Sequence, residues 1–177
     1  LAYLTPSCQY PLGAVMPIAQ RLEWMEWAAR NDAWLIEDDL DNEFVFGGRP
    51  DPAIYCDDRQ ARTLYVSSFN NALFPSLRLG FIIAPPALAK PLMALSAITD
   101  RGPNTWLQAV LAEFIEQGHL STHIRRMHSA YVRRRKAMIS SFARVSSPLV
   151  SLRQTTSGLR VIAELPAGMR DMDVLES

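Results

Sequence analysis

The stretch Ser67–Gly80, with the sequence SSFNNALFPSLRLG, is the most informative part of the chain, and it joins two short apolar segments. These segments, Thr63–Val66 and Gly80–Ala84, are bounded by polar or turn-forming residues, which is typical of buried strands. The stretch carries Ser68 near its start and Arg78 near its end. A hydroxyl and a guanidinium close to one anion form a charge-assisted cradle. The alternative, for each residue taken singly, is that Ser68 is an ordinary serine at a strand end and that Arg78 is a surface charge.

Upstream of this stretch, short apolar segments alternate with a segment of helical period. Two more candidate strands are Ala2–Leu4 and Ala33–Glu37, and between them Pro17–Arg30 has its apolar residues on one helical stripe, formed by Ile18, Leu22, Met25 and Ala29. Pro17 suits the first turn of a helix. Alternation of this kind predicts an α/β domain with a mainly parallel sheet.

Downstream of Pro85 the pattern becomes mainly helical. We predict helices at Leu88–Ser96, Thr105–Gln117 and Leu120–Phe142, with Gly118 just past the end of the second. Two later segments, Leu149–Arg153 and Gly158–Glu164, read as strands. We therefore divide the chain into a large domain with trailing helices, residues 1–142, and the beginning of a smaller C-terminal α+β domain, residues 143–177.

Composition narrows the class of protein. The chain has 177 residues, 49% of them hydrophobic and 20% charged, and its formal net charge is zero, so no overall field favours nucleic acid or an anionic membrane. No apolar run approaches the roughly 20 residues of a membrane span, and no signal peptide is visible. Cys8 and Cys56 fit neither a metal motif nor a redox pair. We expect a cytoplasmic protein, and both ends read as cut from a longer chain.

Residues 67–80 resemble the cofactor-lysine loop of fold-type-I pyridoxal-phosphate (PLP) enzymes. The resemblance is to the class I/II aminotransferase-like domain of MocR/GabR-type transcriptional regulators of the GntR family, which reads G-T-F-S-K-T-L-F-P-x-L-R-L-G. It implies that Ser68 and Arg78 contact the cofactor phosphate. Asn71 stands at the position of the Schiff-base lysine. A carboxamide is neither a nucleophile nor a base at neutral pH, so transamination would be lost. A misalignment by one residue is the alternative, and the matches on both sides of Asn71 argue against it.

The segment Ile36–Asp41 resembles the I-E-D-D-Y-D motif of the same family. The resemblance implies that Asp38 pairs with the pyridinium nitrogen of PLP, where a fixed carboxylate keeps the ring an electron sink. Leu40 occupies the position of the tyrosine that donates to the ring oxygen, and leucine cannot make this hydrogen bond. The alternative is that the acidic cluster only caps the next turn.

Thr5–Gly13 resembles the T-P-S-H-Q-x-P-x-G turn of the family, and Cys8 replaces its histidine. Elsewhere, His119 and His123 have the spacing of metal ligands but lack a third ligand motif, so capping or surface roles are favoured and no metal site is predicted. A basic series follows on the same helix. It could bind nucleic acid, although a solvated face or an interdomain contact is favoured; its members are Arg125, Arg126, Arg133, Arg134, Arg135 and Lys136.

The resemblance implies a PLP-binding domain that senses a small amino compound. The substitutions at Asn71 and Leu40 imply that PLP binding is weak and non-covalent and that the domain is catalytically impaired. The resemblance also implies a homodimer and DNA binding through an N-terminal winged helix absent from this chain. Two alternatives stay open: a free-standing class I/II aminotransferase acting on an amino acid, and a dimerisation scaffold that binds no PLP.

Overall fold

The computed structural model describes residues 1–40, 42–99, 104–145, 150–153 and 155–172. A four-stranded sheet has the order β1-β2-β3-β4. The first three strands are parallel, and β4 runs antiparallel to β3. The α/β prediction with a mainly parallel sheet is therefore confirmed. The strands are β1 (Ala2–Leu4), β2 (Leu35–Asp38), β3 (Thr63–Ser68) and β4 (Gly80–Ile83).

All four predicted helices form, and their ends differ from the prediction by at most about three residues. The helices are α1 (Ile18–Arg30), α2 (Ile54–Asp57), α3 (Pro86–Thr99), α4 (Thr105–Glu116) and α5 (His119–Val145), with a 3-10 turn at Pro75–Leu77. The sequence did not predict the short α2 or the 3-10 turn. Gly118 follows α4 with φ of 75°, as expected for a residue that ends a helix.

Helix α1 packs on the sheet through a face that the apolar stripe predicted only in part. Met25 lies against the core formed by Leu4, Ala28, Leu35 and Ile54. Ile18 and Leu22, however, are 53% and 48% exposed. Arg21 is buried instead, and its guanidinium donates to the carbonyls of Met16, Pro52 and Pro6. A hydrophobicity pattern does not reveal this face, because the arginine is satisfied by distant backbone carbonyls.

Helix α5 contacts the loop after β2 through His128 and the Val45 carbonyl, and the C-terminal segment through Arg135 and the Thr155 carbonyl. A two-stranded antiparallel sheet contains β5 (Ser151–Arg153) and β6 (Ile162–Glu164). The predicted strand Gly158–Glu164 is thus shorter in the structure, and Leu149, the predicted start of the other strand, lies outside the described residues. The predicted domain boundary after residue 142 falls inside α5, and the division into two domains stays a prediction. In the described part of the chain, no helix is both long and apolar enough to cross a membrane.

Candidate cofactor site at the strand ends

The polar residues singled out by the sequence lie at one edge of the four-stranded sheet. Because β2 and β3 are parallel, their carboxyl ends share this edge, with Asp38 in register with Val66. Because β4 is antiparallel, it starts there, with Gly80 opposite Ser68. Ligands of open α/β sheets bind outside the carboxyl ends of the strands. The topology therefore brings Asp38, Ser68 and the segment before Gly80 to the edge where a ligand is expected.

Asp38 has one carboxylate oxygen paired and one unpaired. The Tyr3 hydroxyl on β1 donates a hydrogen bond to Asp38 Oδ2. This bond and partial burial raise the pKa of Tyr3 from its ordinary value of 10.0 to about 12. Asp38 Oδ1 is buried and accepts no hydrogen bond from the described residues. A buried acceptor without a donor is costly, and a ligand N–H would satisfy it.

Glu37 and Asp39 point to the opposite face of the sheet, as alternation along a strand requires. Glu37 is fully buried and accepts the backbone N–H groups of Ile54 and Tyr55 at 2.8 and 2.9 Å, which caps α2. Glu37 thus caps a helix 17 residues later in the chain rather than the next turn. Burial raises the pKa of Glu37, although the two N–H bonds work against that rise.

Asp39 anchors the chain where β2 ends. Its side chain is 1% exposed, and its Oδ2 accepts from the Tyr65 hydroxyl at 2.6 Å and from Asn42 Nδ2 at 3.0 Å. The Ser67 hydroxyl donates to the Asp39 carbonyl at 2.6 Å. Burial first, and then the bond to Asp39, raise the pKa of Tyr65. These bonds tie the ends of β2 and β3 together and so fix the backbone on which Asp38 is carried.

The loop after β3 returns to the end of β2 through Asn71. Its side-chain Nδ2 donates to the Leu40 carbonyl at 3.3 Å. Leu40 itself is 41% exposed. At the start of the loop, the Asn70 N–H donates to the Ser68 hydroxyl at 3.4 Å, and the Phe69 N–H donates to the Leu79 carbonyl at 3.0 Å. Asn71 therefore lies beside the segment that follows Asp38, where an amine in its place would also lie.

Arg78 ends the 3-10 turn in the left-handed backbone region, with φ of 48°. Its side chain is exposed. Within the described residues, the guanidinium makes no hydrogen bond or ion pair, so its donors are available to an anion. Gly80 follows closely, and a Cβ at this position would lie 3.1 Å from the Ser67 carbonyl oxygen. At the start of β4, the backbone is therefore closely packed at Gly80, and the exposed guanidinium of Arg78 adds a positive charge.

The turn that contains Cys8 is held by Gly13. The Gln9 N–H donates to the Ala14 carbonyl at 2.9 Å, and Gly13 has φ of 65°. A Cβ on Gly13 would lie 2.6 Å from Thr155 Cγ2, so only glycine fits here without movement. Cys8 is partly buried, and among the described residues it forms no disulfide.

The remaining candidates differ in their surroundings, and His123 Nε2 is buried without a hydrogen-bond partner among the described residues. His119 contacts Gln117 at 3.0 Å, and the described residues contain no group of three potential metal-ligating side chains. Arg135 donates to the Thr155 carbonyl at 2.6 Å and lies 5.2 Å over the Phe46 ring. Of the basic series on α5, Arg135 thus makes a contact with the C-terminal segment, while the other five members are exposed.

Comparison with known proteins gives no matching family model, but it gives relatives and structural neighbours. The chain is 39% identical over 171 residues to the probable rhizopine catabolism regulatory protein MocR of Rhizobium meliloti, a match that covers 97% of this chain and 35% of that protein. It is 31% identical over 159 residues to the HTH-type pyridoxine biosynthesis transcriptional regulator PdxR of Corynebacterium glutamicum, covering 90% of this chain and 34% of that protein.

Two solved aminotransferases share the architecture. Kynurenine aminotransferase of Pyrococcus horikoshii, in complex with PMP, superposes with a TM-score of 0.88 at 27% identity, covering 98% of this chain and 43% of that one. The α-aminoadipate aminotransferase LysN of Thermus thermophilus gives 0.87 at 25% identity, covering 98% and 45%. The chain thus spans between about a third and just under half of the length of these proteins.

The chain has the fold of the fold-type-I PLP aminotransferases. Its sequence matches part of the aminotransferase-like domain of MocR-type regulators of the GntR family.

Proposed function

We propose that this chain is part of a PLP-binding, effector-sensing domain of a MocR-type regulator that does not turn over amino acids. The observation that carries the proposal is the unpaired carboxylate oxygen of Asp38 at the sheet edge, together with Asn71 in the loop beside it. Asp38 Oδ1 is buried and lacks a donor among the described residues, while the Asn71 amide contacts the Leu40 carbonyl. The sheet edge thus offers a hydrogen-bond acceptor to a ligand, whereas residue 71 in the loop offers no amine.

The residues at the sheet edge fit PLP. The unpaired Asp38 Oδ1 suits the protonated ring nitrogen, since a carboxylate that accepts from a cation makes a strong hydrogen bond. The exposed guanidinium of Arg78 and the hydroxyl of Ser68 suit the phosphate. When bound, PLP supplies an electron-withdrawing ring, and Asp38 would hold the proton on its nitrogen.

Two positions weaken the same site. Leu40 offers no donor to the ring oxygen, which removes roughly 1 kcal/mol of net interaction. Asn71 cannot form a covalent link through its side chain or move a proton between substrate and cofactor. We therefore expect binding that is weak, reversible and non-covalent.

Regulation is supported by the relatives rather than by the site. Several similar proteins are regulators whose names carry a helix-turn-helix designation. We propose that the whole protein is a cytoplasmic homodimer that binds DNA through an N-terminal winged helix and responds to a small amino compound. A free-standing aminotransferase is the second candidate, favoured by 29% identity over 176 residues to aromatic-amino-acid aminotransferase 1 of Thermococcus litoralis. A scaffold that binds no PLP is the third.

An absorbance titration of the full-length protein with PLP separates these functions. For the proposed domain we expect saturable spectral change that is lost on dialysis, and no cofactor retained after borohydride treatment. The Asp38→Asn variant should bind more weakly, and Glu23→Gln, an exposed change on α1, should bind as the unmodified protein does. Retention after borohydride would show that another amine serves and would favour the aminotransferase. No saturable change at all would favour the scaffold.

A further inference from the structure

We propose that Tyr3 is a positioning residue for Asp38, whose hydroxyl holds Oδ2 so that Oδ1 is presented to the nitrogen of a pyridine ring. This inference rests on the proposed PLP-binding function and adds a residue to it. The sequence marked Ala2–Leu4 only as a strand, so the tyrosine was not among the predicted site residues.

The register of β1 and β2 explains why these two side chains meet. Tyr3 is in register with Ile36, and Asp38 lies two residues further along β2. Because side chains alternate along a strand, Tyr3, Ile36 and Asp38 share one face of the sheet. Leu4 and Glu37 are in register on the other face, which is the buried one. Tyr3 is 61% exposed, so its ring is not held by the core, and its hydroxyl bond to Asp38 is its defined polar contact.

The hydrogen bond from Tyr3 gives the two carboxylate oxygens of Asp38 different surroundings. Oδ2 accepts from Tyr3, while Oδ1 is buried without a donor among the described residues. The phenol is protonated at neutral pH, as tyrosine ordinarily is, and the bond to Asp38 raises its pKa further, to about 12. A carboxylate with one oxygen fixed has a single orientation, and a ligand then finds the other oxygen already aligned.

The alternative is that Tyr3 competes with the ligand for Asp38. In that case the hydroxyl must be displaced when PLP binds, and its removal makes binding tighter. The two roles predict opposite signs for Tyr3→Phe, which keeps the ring and removes only the donor.

The test measures dissociation constants of the full-length protein for PLP and for its 1-deaza analogue, in which C–H replaces the ring nitrogen. We expect Tyr3→Phe to weaken PLP binding about tenfold, the range for a hydrogen bond to a charged group. The analogue should bind the unmodified protein and Tyr3→Phe equally, because it has no nitrogen for Asp38 to meet. Tyr131→Phe, which removes a hydroxyl on α5, is the matched control and should change neither constant.

Each other outcome counts against the inference. Equal weakening for PLP and the analogue would mean that the change only disturbs the fold. Unchanged binding of the analogue serves as the control that the variant is folded. Unchanged or tighter PLP binding by Tyr3→Phe would overturn the positioning role while leaving the proposed function standing. If the unmodified protein does not bind PLP, both proposals fail together.

Discussion

The end of β2 and the loop after β3 lie at the same edge of the sheet but are held very differently. At the strand end, Glu37 and Asp39 are 0% and 1% exposed, and the carboxylate of each accepts two hydrogen bonds. In the loop, Phe74 is 52% exposed, and Arg78 is exposed without a partner in the described residues. At the strand end the buried polar side chains are fixed by hydrogen bonds, whereas in the loop Ala72 and Leu77 are buried by apolar packing and Phe74 and Arg78 are exposed. Asn71 lies in this loop, where its amide donates to the Leu40 carbonyl.

The largest effect should come from Asn71→Lys. If only the loop has lost its chemistry, a lysine here should attach PLP covalently, so borohydride should fix cofactor to this variant and not to the unmodified protein. Rescue should be partial, because Leu40 and Cys8 still differ from the family pattern. Mass spectrometry of the reduced protein measures the attachment.

The control for this change is Asn70→Lys, one residue earlier in the same loop. It should gain no covalent cofactor, since register places the family lysine at residue 71. Equal labelling of both variants would contradict the alignment of the loop and with it the contrast between the two regions.

Substitutions at the end of β2 should instead lower the free energy of unfolding. Asp39→Ala leaves the Tyr65 hydroxyl and Asn42 without their buried acceptor, so we expect a loss of about 2–4 kcal/mol in the free energy of unfolding. Urea denaturation measures this loss. Glu23→Ala on the exposed side of α1 should change the value by less than about 0.5 kcal/mol. Similar small effects for both variants would show that the end of β2 is no more fixed than the loop.

A smaller effect tests whether the two regions act on one ligand. Adding Leu40→Tyr to Asn71→Lys should improve PLP affinity by about 1 kcal/mol more than Leu40→Tyr does in the unmodified protein. The reason is that both new side chains would act on the same group of the bound cofactor, and neighbouring groups couple. The four dissociation constants form a double-mutant cycle. Strict additivity would mean that the side chain at position 40 does not face the same cofactor group.

The sequence predicted most of the fold because strands and long helices follow local apolar patterns. The short helix α2 was not predicted, because its N-terminus is capped by Glu37, which lies 17 residues before Ile54. The buried face of α1 was only partly predicted for the same kind of reason, as Arg21 is satisfied by carbonyls up to 31 residues away.

At the candidate site, motif resemblance predicted Asp38, Ser68, Asn71 and Arg78, and the topology places these segments at one edge. The roles assigned to them stay predictions. Tyr3 and Tyr65 were not predicted, because their importance comes from partners 35 and 26 residues away that only the sheet register reveals. A tyrosine on the strand beside an acidic strand end is the signal that could have found Tyr3.

The smallest effect concerns the pH dependence of stability at the strand end. Burial raises the pKa of Glu37 in the folded protein, so the folded state binds its proton more tightly than the unfolded state does. The contribution of Glu37 to stability is therefore greatest below the unfolded glutamate pKa of about 4.3, and it declines as pH rises toward the raised folded value. Glu37→Gln removes this titration, so the stability difference between the unmodified protein and this variant should fall as pH rises from about 4 to 7. The two N–H bonds from α2 oppose the effect of burial, which keeps the change small. Urea midpoints measured across this range test it, with Glu23→Gln expected to show no such trend. A difference that grows with pH would mean that the capping bonds outweigh burial and that the folded state lowers the pKa of Glu37.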